Sequence, residues 1–422
     1  MSLSRITDKW RTWISPGNGG SRQILSNIAR GAYFLAIMLW TFRYVGGASF
    51  LDMAPGGIVL FLYEKVDNYL LYTLMCSLLL DSYLHPATSW RLAFGTSIGF
   101  VMFNVGARYS DATIVNLFWF VLAYPRSLSA RDAARCCWIC LSTMIAIIIS
   151  AHLAGFIPDR AQFEHGVYRH SLGFTWPNNL SWYMTSAVVA WCYTKAACWR
   201  LRHTAASLVP LVLAYVIGNG RVAFALGLFV VALLTIDSCV RDGLRLRSFL
   251  HHAAFRLAIV LPWAFEFFFL TMASACARFP ESTIARVAFS LLGSRMHEMT
   301  TCYNRYGYGL LGKEVELISY RRTLATGEEW FNVDNSYILH TVKYGLLFAA
   351  IALVFVVLFI RVLEKNDNFA MAVIVTAMAI CGASENLILL PVFNFAIIGF
   401  AQTISCVELA YAMSPNKPVG NE

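Results

Sequence analysis

The sequence predicts an all-α polytopic membrane protein, and three observations carry that prediction. The chain of 422 residues is 58% hydrophobic and only 14% charged, too apolar for an ordinary soluble domain. Its apolar stretches are long and uninterrupted, unlike the short alternating strands of a transmembrane barrel. Lys and Arg recur in every second connection between those stretches, which is how a multi-pass chain fixes its orientation.

A span needs about twenty apolar residues at a rise of about 1.5 Å each. By that measure spans read at 24–43, 67–85, 90–107, 111–125, 135–156 and 179–197. They continue at 206–220, 222–238, 252–275, 337–360, 369–384 and 387–411. The count is about twelve, with ten to twelve admitted because 111–125 is short enough to be re-entrant. With both termini in the cytoplasm, the inner connections carry Arg91, then Arg126, Arg131 and Arg135, then Lys195, Arg200 and Arg202. Farther on come Arg241, Arg245, Arg247 and Arg256, then Arg361 and Lys365, then Lys417. The outer connections carry few, a consistent positive-inside pattern. Residues 1–30 are polar and basic (Arg5, Lys9, Arg11, Arg22, Arg30) and read as a cytoplasmic lead into the first span, not a cleavable leader. No linker, low-complexity tract or repeat interrupts the chain. We read residues 1–422 as a single integral membrane domain with an external loop at 157–178 and a large, partly helical external loop at 277–336.

The net charge of +9 does not point to nucleic acid, because most of the surplus sits where topology explains it. Most of the eleven cysteines fall in apolar spans, among them Cys136, Cys137 and Cys140, and no His/Cys spacing fits a metal. Cys276 and Cys302 both reach the outer face, which leaves a disulfide open.

Four places carry chemistry. The 157–178 loop ends Arg169-His170-Ser171-Leu172-Gly173-Phe174-Thr175-Trp176-Pro177-Asn178. Arg169 beside His170 reads as a phosphate or pyrophosphate clamp with a proton donor or base, or as an interfacial loop bonded to its own backbone. Gly218-Asn219-Gly220-Arg221 joins two spans at their outer ends; Arg221 then opens a helix, where backbone donors favour anions, or simply snorkels. The 277–336 loop carries Arg278, Arg286, Arg295, Arg305, Arg321 and Arg322. Within it Ile284, Val287, Ala288, Leu291 and Leu292 have the spacing of an amphipathic surface helix, and Arg295 and then Gly307, Gly309 and Gly312 follow. The loop closes on Asp334-Asn335-Ser336-Tyr337, where Asp334 is a general base, an arginine partner or a helix cap. Ionisable groups in spans are functional candidates by default: Glu385 lies near the outer face, and Glu266, deeper, either acts or pairs with a neighbouring helix.

Taken in order, these segments resemble the bacterial Wzy-type polysaccharide polymerases of the O-antigen ligase and polymerase superfamily. The resemblance runs over Arg169 to Phe174 with Pro177-Asn178, Gly220-Arg221, and Ser294-Arg295 through the glycines to Asp334-Asn335-Ser336-Tyr337 and Tyr344-Gly345. It implies an enzyme of the bacterial cytoplasmic membrane that needs no cofactor and no metal. A growing glycan would pass from undecaprenyl pyrophosphate to the non-reducing end of another undecaprenyl-pyrophosphate-linked repeat at the outer face. Its partners would be that lipid-linked oligosaccharide and membrane lipid, with a chain-length regulator and a flippase as further possibilities.

Under this resemblance Arg169, Arg221 and Arg295 form the pyrophosphate clamp; Asp334, His170 and Arg295 are the catalytic candidates; Asn178, Asn335, Tyr337 and Glu385 support them. Ligases of the superfamily carry His-Asn near the end of the large loop, whereas this chain has Asp334-Asn335, so the base is open between Asp334 and His170. Trp176, Tyr303, Tyr306 and Trp330 offer faces for sugar stacking or for interface packing. The alternatives are a ligase acting on another acceptor and a flippase for the same lipid-linked oligosaccharide. A flippase would show paired halves and short loops, which this chain lacks.

Overall fold

The computed structural model describes residues 19–51, 58–85, 112–164, 166–240, 243–318, 323 and 327–413. Among these the fold is helical apart from one short hairpin. The span read at 90–107 and the arginines Arg91, Arg241, Arg321 and Arg322 lie outside the described residues.

Helix α1 (Gly19–Thr41) runs into a π-turn, Phe42–Gly46, and packs along α2 (Ile58–Leu84). After α3 (Ala112–Leu122), α4 (Ala130–Leu153) starts at Ser129, whose hydroxyl accepts from the Asp132 N–H. Strands β1 (Gln162–Glu164) and β2 (Val167–Arg169) pair antiparallel, Gln162 opposite Arg169. Pro177 opens α5 (Pro177–Lys195), supplying the fixed φ that a first helical position favours. Then come α6 (Leu201–Gly218), α7 (Arg221–Cys239) and the 35-residue α8 (Leu244–Arg278), about 50 Å long. Two short helices follow, α9 (Thr283–Leu292) and α10 (Ser294–Tyr306). The chain ends through α11 (Ser336–Tyr344), α12 (Leu346–Lys365), α13 (Phe369–Gly382) and α14 (Ala396–Met413).

Six helical stretches among the described residues are long and apolar enough to cross a membrane: Gly20–Gly46, Ala130–Leu153, Leu201–Gly218, Arg221–Cys239, Arg245–Arg278 and Leu346–Lys365. Others are enclosed instead. Helix α5 buries side chains all round, and α13, at 14 residues and about 21 Å, is shorter than a bilayer core of about 30 Å and almost wholly buried.

Two of the expected spans are corrected. The stretch 337–360 breaks at Gly345, whose φ of +95° only glycine adopts freely, so α11 belongs to the loop and α12 is the long apolar helix. A Cβ at Gly345 would lie 2.3 Å from the Leu310 carbonyl oxygen, and one at Gly312 would lie 2.4 Å from that of Lys343. The glycines let the 307–312 turn cross over the α11–α12 junction, where Leu310 and Gly309 carbonyls receive the Leu347 and Leu346 N–H groups at 3.1 and 2.9 Å. The stretch 387–411 is helical only from Ala396; residues 383–395 are turns, interrupted by Pro391 and capped by Asn394, whose side chain accepts from the Ala396 N–H at 3.2 Å. Such irregular backbone persists in an apolar setting only where protein encloses it, and the rings of Phe393 and Phe395 pack on Tyr183 and Tyr193 of α5.

The 277–336 loop has a core of its own. Phe269 and Ala273 of α8, Ala285 and Ala288 of α9, and Met296 and Met299 of α10 form a second buried cluster with Val333 and Ile338. Ala288 thus turns inward while Ile284, Val287 and Leu291 stay exposed. Cys276 and Cys302 are buried in this cluster as free thiols, which closes the disulfide possibility. Glu266 accepts a hydrogen bond from Thr341 of α11, so the deeper carboxyl serves to join loop and helix.

Candidate functional site

The first two turns of α5 organise the site. Arg169, at the end of β2, is held by three partners: its Nε donates to the Gly218 carbonyl at 3.0 Å, and its terminal nitrogens reach Glu164 and the Asn178 side-chain oxygen. Asn178 is the second residue of α5. Gly218 and Gly220 let the α6–α7 turn lie against the same helix: a Cβ at Gly220 would sit 2.3 Å from the Ser181 Cβ, and one at Gly218 2.8 Å from the Pro177 carbonyl. Between them Asn219 takes the left-handed conformation (φ +49°) that closes α6. Arg221 therefore starts α7 beside Ser181; its side chain is exposed and has no partner among the described residues.

One turn into α5, the Trp182 side chain lies beside Glu385 and favours its charged form, and Glu385 pairs with Arg295 at 3.7 Å. Each of the three arginines is thus tied to α5 between Pro177 and Trp182: Arg169 through Asn178, Arg221 through the glycine turn, Arg295 through Glu385 and Trp182.

Arg295 faces not one carboxylate but three. Its charge acts on Glu298, on the next turn of α10, on Asp334 and on Glu385. The Glu298 carboxylate accepts from the Asp334 backbone N–H at 3.4 Å, and the Asn332 amide donates to Asp334 at 2.5 Å. One guanidinium does not neutralise three part-buried acids, and their protonation follows. Burial, then the neighbouring Asp334 charge, lifts Glu385 to about 8 against the pull of Arg295 and Trp182. The same two causes lift Glu298 to about 7, and burial raises Asp334 while Arg295 and Asn332 draw it back. Groups that gain and lose a proton near neutrality are what acid–base chemistry requires.

The residues after Asp334 build this geometry. Asn335, 1% exposed, caps α11 by accepting from the Ile338 N–H at 3.0 Å and donates to the Ala383 carbonyl at 2.9 Å. The cap is therefore Asn335, not Asp334, whose carboxylate stays with the acidic cluster. Ser336 donates to the Glu385 carbonyl at 2.5 Å. Tyr337 is buried, stacks on Phe269 and donates to the Ala379 carbonyl at 2.7 Å. Asn335, Ser336 and Tyr337 fasten the end of the large loop to the turn after α13, bringing Asp334 to Glu385.

His170 has a different partner. Its Nδ1 lies 2.7 Å from an Asp159 oxygen, and the other Asp159 oxygen accepts from Ser171 N–H and hydroxyl and from Leu172 N–H at 2.8, 3.0 and 2.9 Å. Burial works against the Asp159 charge, but hydrogen bonds from His170 and Ser171 and the Leu172 N–H hold its carboxyl below the usual range. This arrangement folds the loop, and the half-exposed imidazole shares Asp159 rather than the Arg295 cluster. Trp176 presents a face already covered by the Arg160 guanidinium, 3.7 Å from the ring centre. Tyr303 packs against Tyr308, Tyr306 accepts from the Glu316 N–H, and Trp330 is exposed.

Sequence reading missed Asp159, Glu164, Trp182 and Glu298. Two had a helical signal: Glu298 follows Arg295 by three positions and Trp182 follows Asn178 by four, the spacings that place side chains together on one face. Asp159 and Glu164 act across a hairpin whose register no periodicity announces. Among the described residues no three His, Cys, Asp or Glu side chains converge as a metal site. Searches against family models, curated proteins and solved structures returned no match for this chain.

Proposed function

We propose that this chain polymerises lipid-linked oligosaccharide at the outer face of the bacterial cytoplasmic membrane. In this reading a glycan passes from undecaprenyl pyrophosphate to the non-reducing-end hydroxyl of another undecaprenyl-pyrophosphate-linked repeat. The bond from the anomeric carbon to the pyrophosphate oxygen breaks and the bond to the acceptor oxygen forms. Undecaprenyl pyrophosphate departs with the bonding pair, and the acceptor proton goes to a carboxylate. The sugar–pyrophosphate bond supplies the driving free energy, so the step uses no nucleotide.

The observation that carries the proposal is that Arg169, the turn before Arg221 and, through Glu385, Arg295 each have a neighbour in the first two turns of α5, with Arg295 beside three carboxyls two of which are lifted to about 7 and about 8. Guanidinium groups suit a pyrophosphate leaving group, which they hold bidentately and whose developing charge they offset. Arg221 and Arg295 are the accessible members. Arg169 is engaged by Glu164, Asn178 and Gly218, and binds an anion on exchanging Glu164 for it. Asp334 and Glu385 supply the base, with Arg295 between leaving group and base.

The test is reconstitution. Proteoliposomes holding the full chain receive undecaprenyl-pyrophosphate-linked repeats, and products are resolved by length. Wild type is expected to give a ladder without nucleotide. Arg295→Ala is expected to lower turnover about 100- to 1,000-fold, the usual effect of removing one preorganised charge-stabilising donor, and Asp334→Asn to lower it as well. Repeats that change leaflet and never lengthen would replace this reading with a transporter.

A further inference from the structure

At the other end of the helices that carry the site, three elements meet on one buried imidazole. His251, two turns into α8, has a carboxylate at each ring nitrogen: Asp237 of α7 lies 2.7 Å from Nε2, and Asp367, in the turn between α12 and α13, lies 2.7 Å from Nδ1. Phe369, the first residue of α13, covers one face of the ring, stacked at 4.4 Å and 9°. Arg221 opens α7 and Asp237 lies in its last turn, so the cluster sits about 24 Å farther along that helix. Helix α13 likewise runs from the cluster toward the turn that carries Glu385. Among the described residues the remaining charged groups on these elements are Arg245, Arg247, His252 and Arg256 of α8 and Arg361, Glu364 and Lys365 of α12. Arg247 donates through Nε to the same Asp237 oxygen at 3.0 Å, Arg256 meets His252 at 3.3 Å, and Arg361 pairs with Glu364 at 2.9 Å. Helix α5 brings the Tyr193 hydroxyl, which accepts from Asn368 at 3.2 Å.

We propose that His251 is a proton-operated clasp: with a proton on each nitrogen it ties α7 to the α12–α13 turn, and on losing the Nδ1 proton it lets that turn go. A neutral imidazole has one N–H and one lone pair, so only the imidazolium donates to two carboxylates at once. When one proton leaves, the surroundings decide which. The Asp237 side chain is 14% exposed and the Asp367 side chain 66%. Losing a donor costs an enclosed carboxylate more than one that water solvates, so the proton at Nε2 stays and the proton at Nδ1 goes. The bared Nδ1 lone pair then faces a carboxylate oxygen, and Asp367 turns out to water. The turn keeps its shape, because the Asn366, Asp367 and Asn368 N–H groups bond back to the Val362, Glu364 and Leu363 carbonyls and Asp367 tolerates its left-handed φ of +47°. What it loses is its fastening to α7 and α8, so those backbone bonds open more often.

The experiment follows the full chain in lipid nanodiscs with nitrogen-15 in its histidine rings, beside amide hydrogen exchange corrected for the intrinsic effect of pH. The His251 ring is identified among the nine histidines by its loss in His251→Asn, or by its shift in Asp367→Asn, an exposed position, should the first variant not fold. Both nitrogens are expected to carry protons at the acid end of the titration, and Nδ1 alone to lose its proton as pH rises. Exchange at residues 366–369 is expected to accelerate about tenfold in step with that loss, the usual worth of a hydrogen bond between charged partners, while residues 236–239 stay protected. In Asp367→Asn the side-chain amide offers Nδ1 both an acceptor and a donor, so the step in exchange should vanish. A His251 ring with a single proton wherever the protein is folded overturns the clasp. So does turn exchange that ignores the His251 titration, a step that persists in Asp367→Asn, or loss of the Nε2 proton with release of α7 instead.

Discussion

Glu385 concentrates the electrostatics of the site. It lies beside Trp182, pairs with Arg295, faces Asp334 and Glu298, and its carboxyl is lifted to about 8, chiefly by burial. A carboxyl whose value in the folded protein exceeds its ordinary 4.5 binds more protons folded than unfolded throughout the interval between the two. Stability gained from that excess is complete below about pH 4.5 and is lost as pH rises through about 8. Glu298, lifted to about 7, has the same sign and an earlier loss. Glu385→Gln carries no titrating group and should flatten this dependence. The apparent melting temperature of wild type is expected to fall between pH 6 and pH 9 more steeply than that of the variant; parallel curves would show that Glu385 titrates as in water. Turnover has the opposite slope, because a base must be ionised to take a proton, so the two profiles should cross the same region in opposite directions.

At the level of elements, the site depends on close backbone approaches that few side chains permit. The α6–α7 turn reaches α5 because Gly220 has no Cβ to meet Ser181, 2.3 Å away. Gly220→Ala should cost about 1–3 kcal/mol in stability, as overpacking of a filled site does. It should also displace Arg221, which follows directly in the chain. Removing the obstructing side chain with Ser181→Gly should restore part of both in the double variant, a coupling that only a shared contact produces. Thermal unfolding and turnover of the four proteins read this directly; additive losses would mean that the turn and α5 do not press on one another.

At the scale of the molecule, sequence periodicity revealed the long apolar helices α1, α4, α6, α7, α8 and α12, because lipid-facing residues make hydrophobicity continuous. It misplaced the enclosed elements. Residues 387–395 are apolar enough to read as the start of a span, yet Pro391 and the Asn394 cap turn them into a connector, and hydropathy does not register which partner does the burying. Gly345 was visible as a residue, but its need for φ +95° arises from the Leu310 carbonyl, distant in sequence. The arginines and Asp334 were legible as candidates because unpaired charge is conspicuous beside apolar spans. Their partners Glu164, Trp182 and Glu298 were not, since each becomes meaningful only after the chain has folded.

Helix α5 also acts as a protractor. Asn178 and Trp182 lie one turn apart, so one points at Arg169 while the other addresses Glu385 and Arg295 from the same side. A single alanine inserted between them would leave composition, hydropathy and charge almost untouched while turning everything downstream by about 100°. Trp182 would leave Glu385, and Met184, Val188 and Trp191 would turn away from the cleft they line with α4 and α6. Such an insertion is expected to abolish turnover, whereas an alanine added in the exposed 155–156 turn should be tolerated. The functional information in this segment lies in its phase, which substitution scanning one position at a time leaves unread.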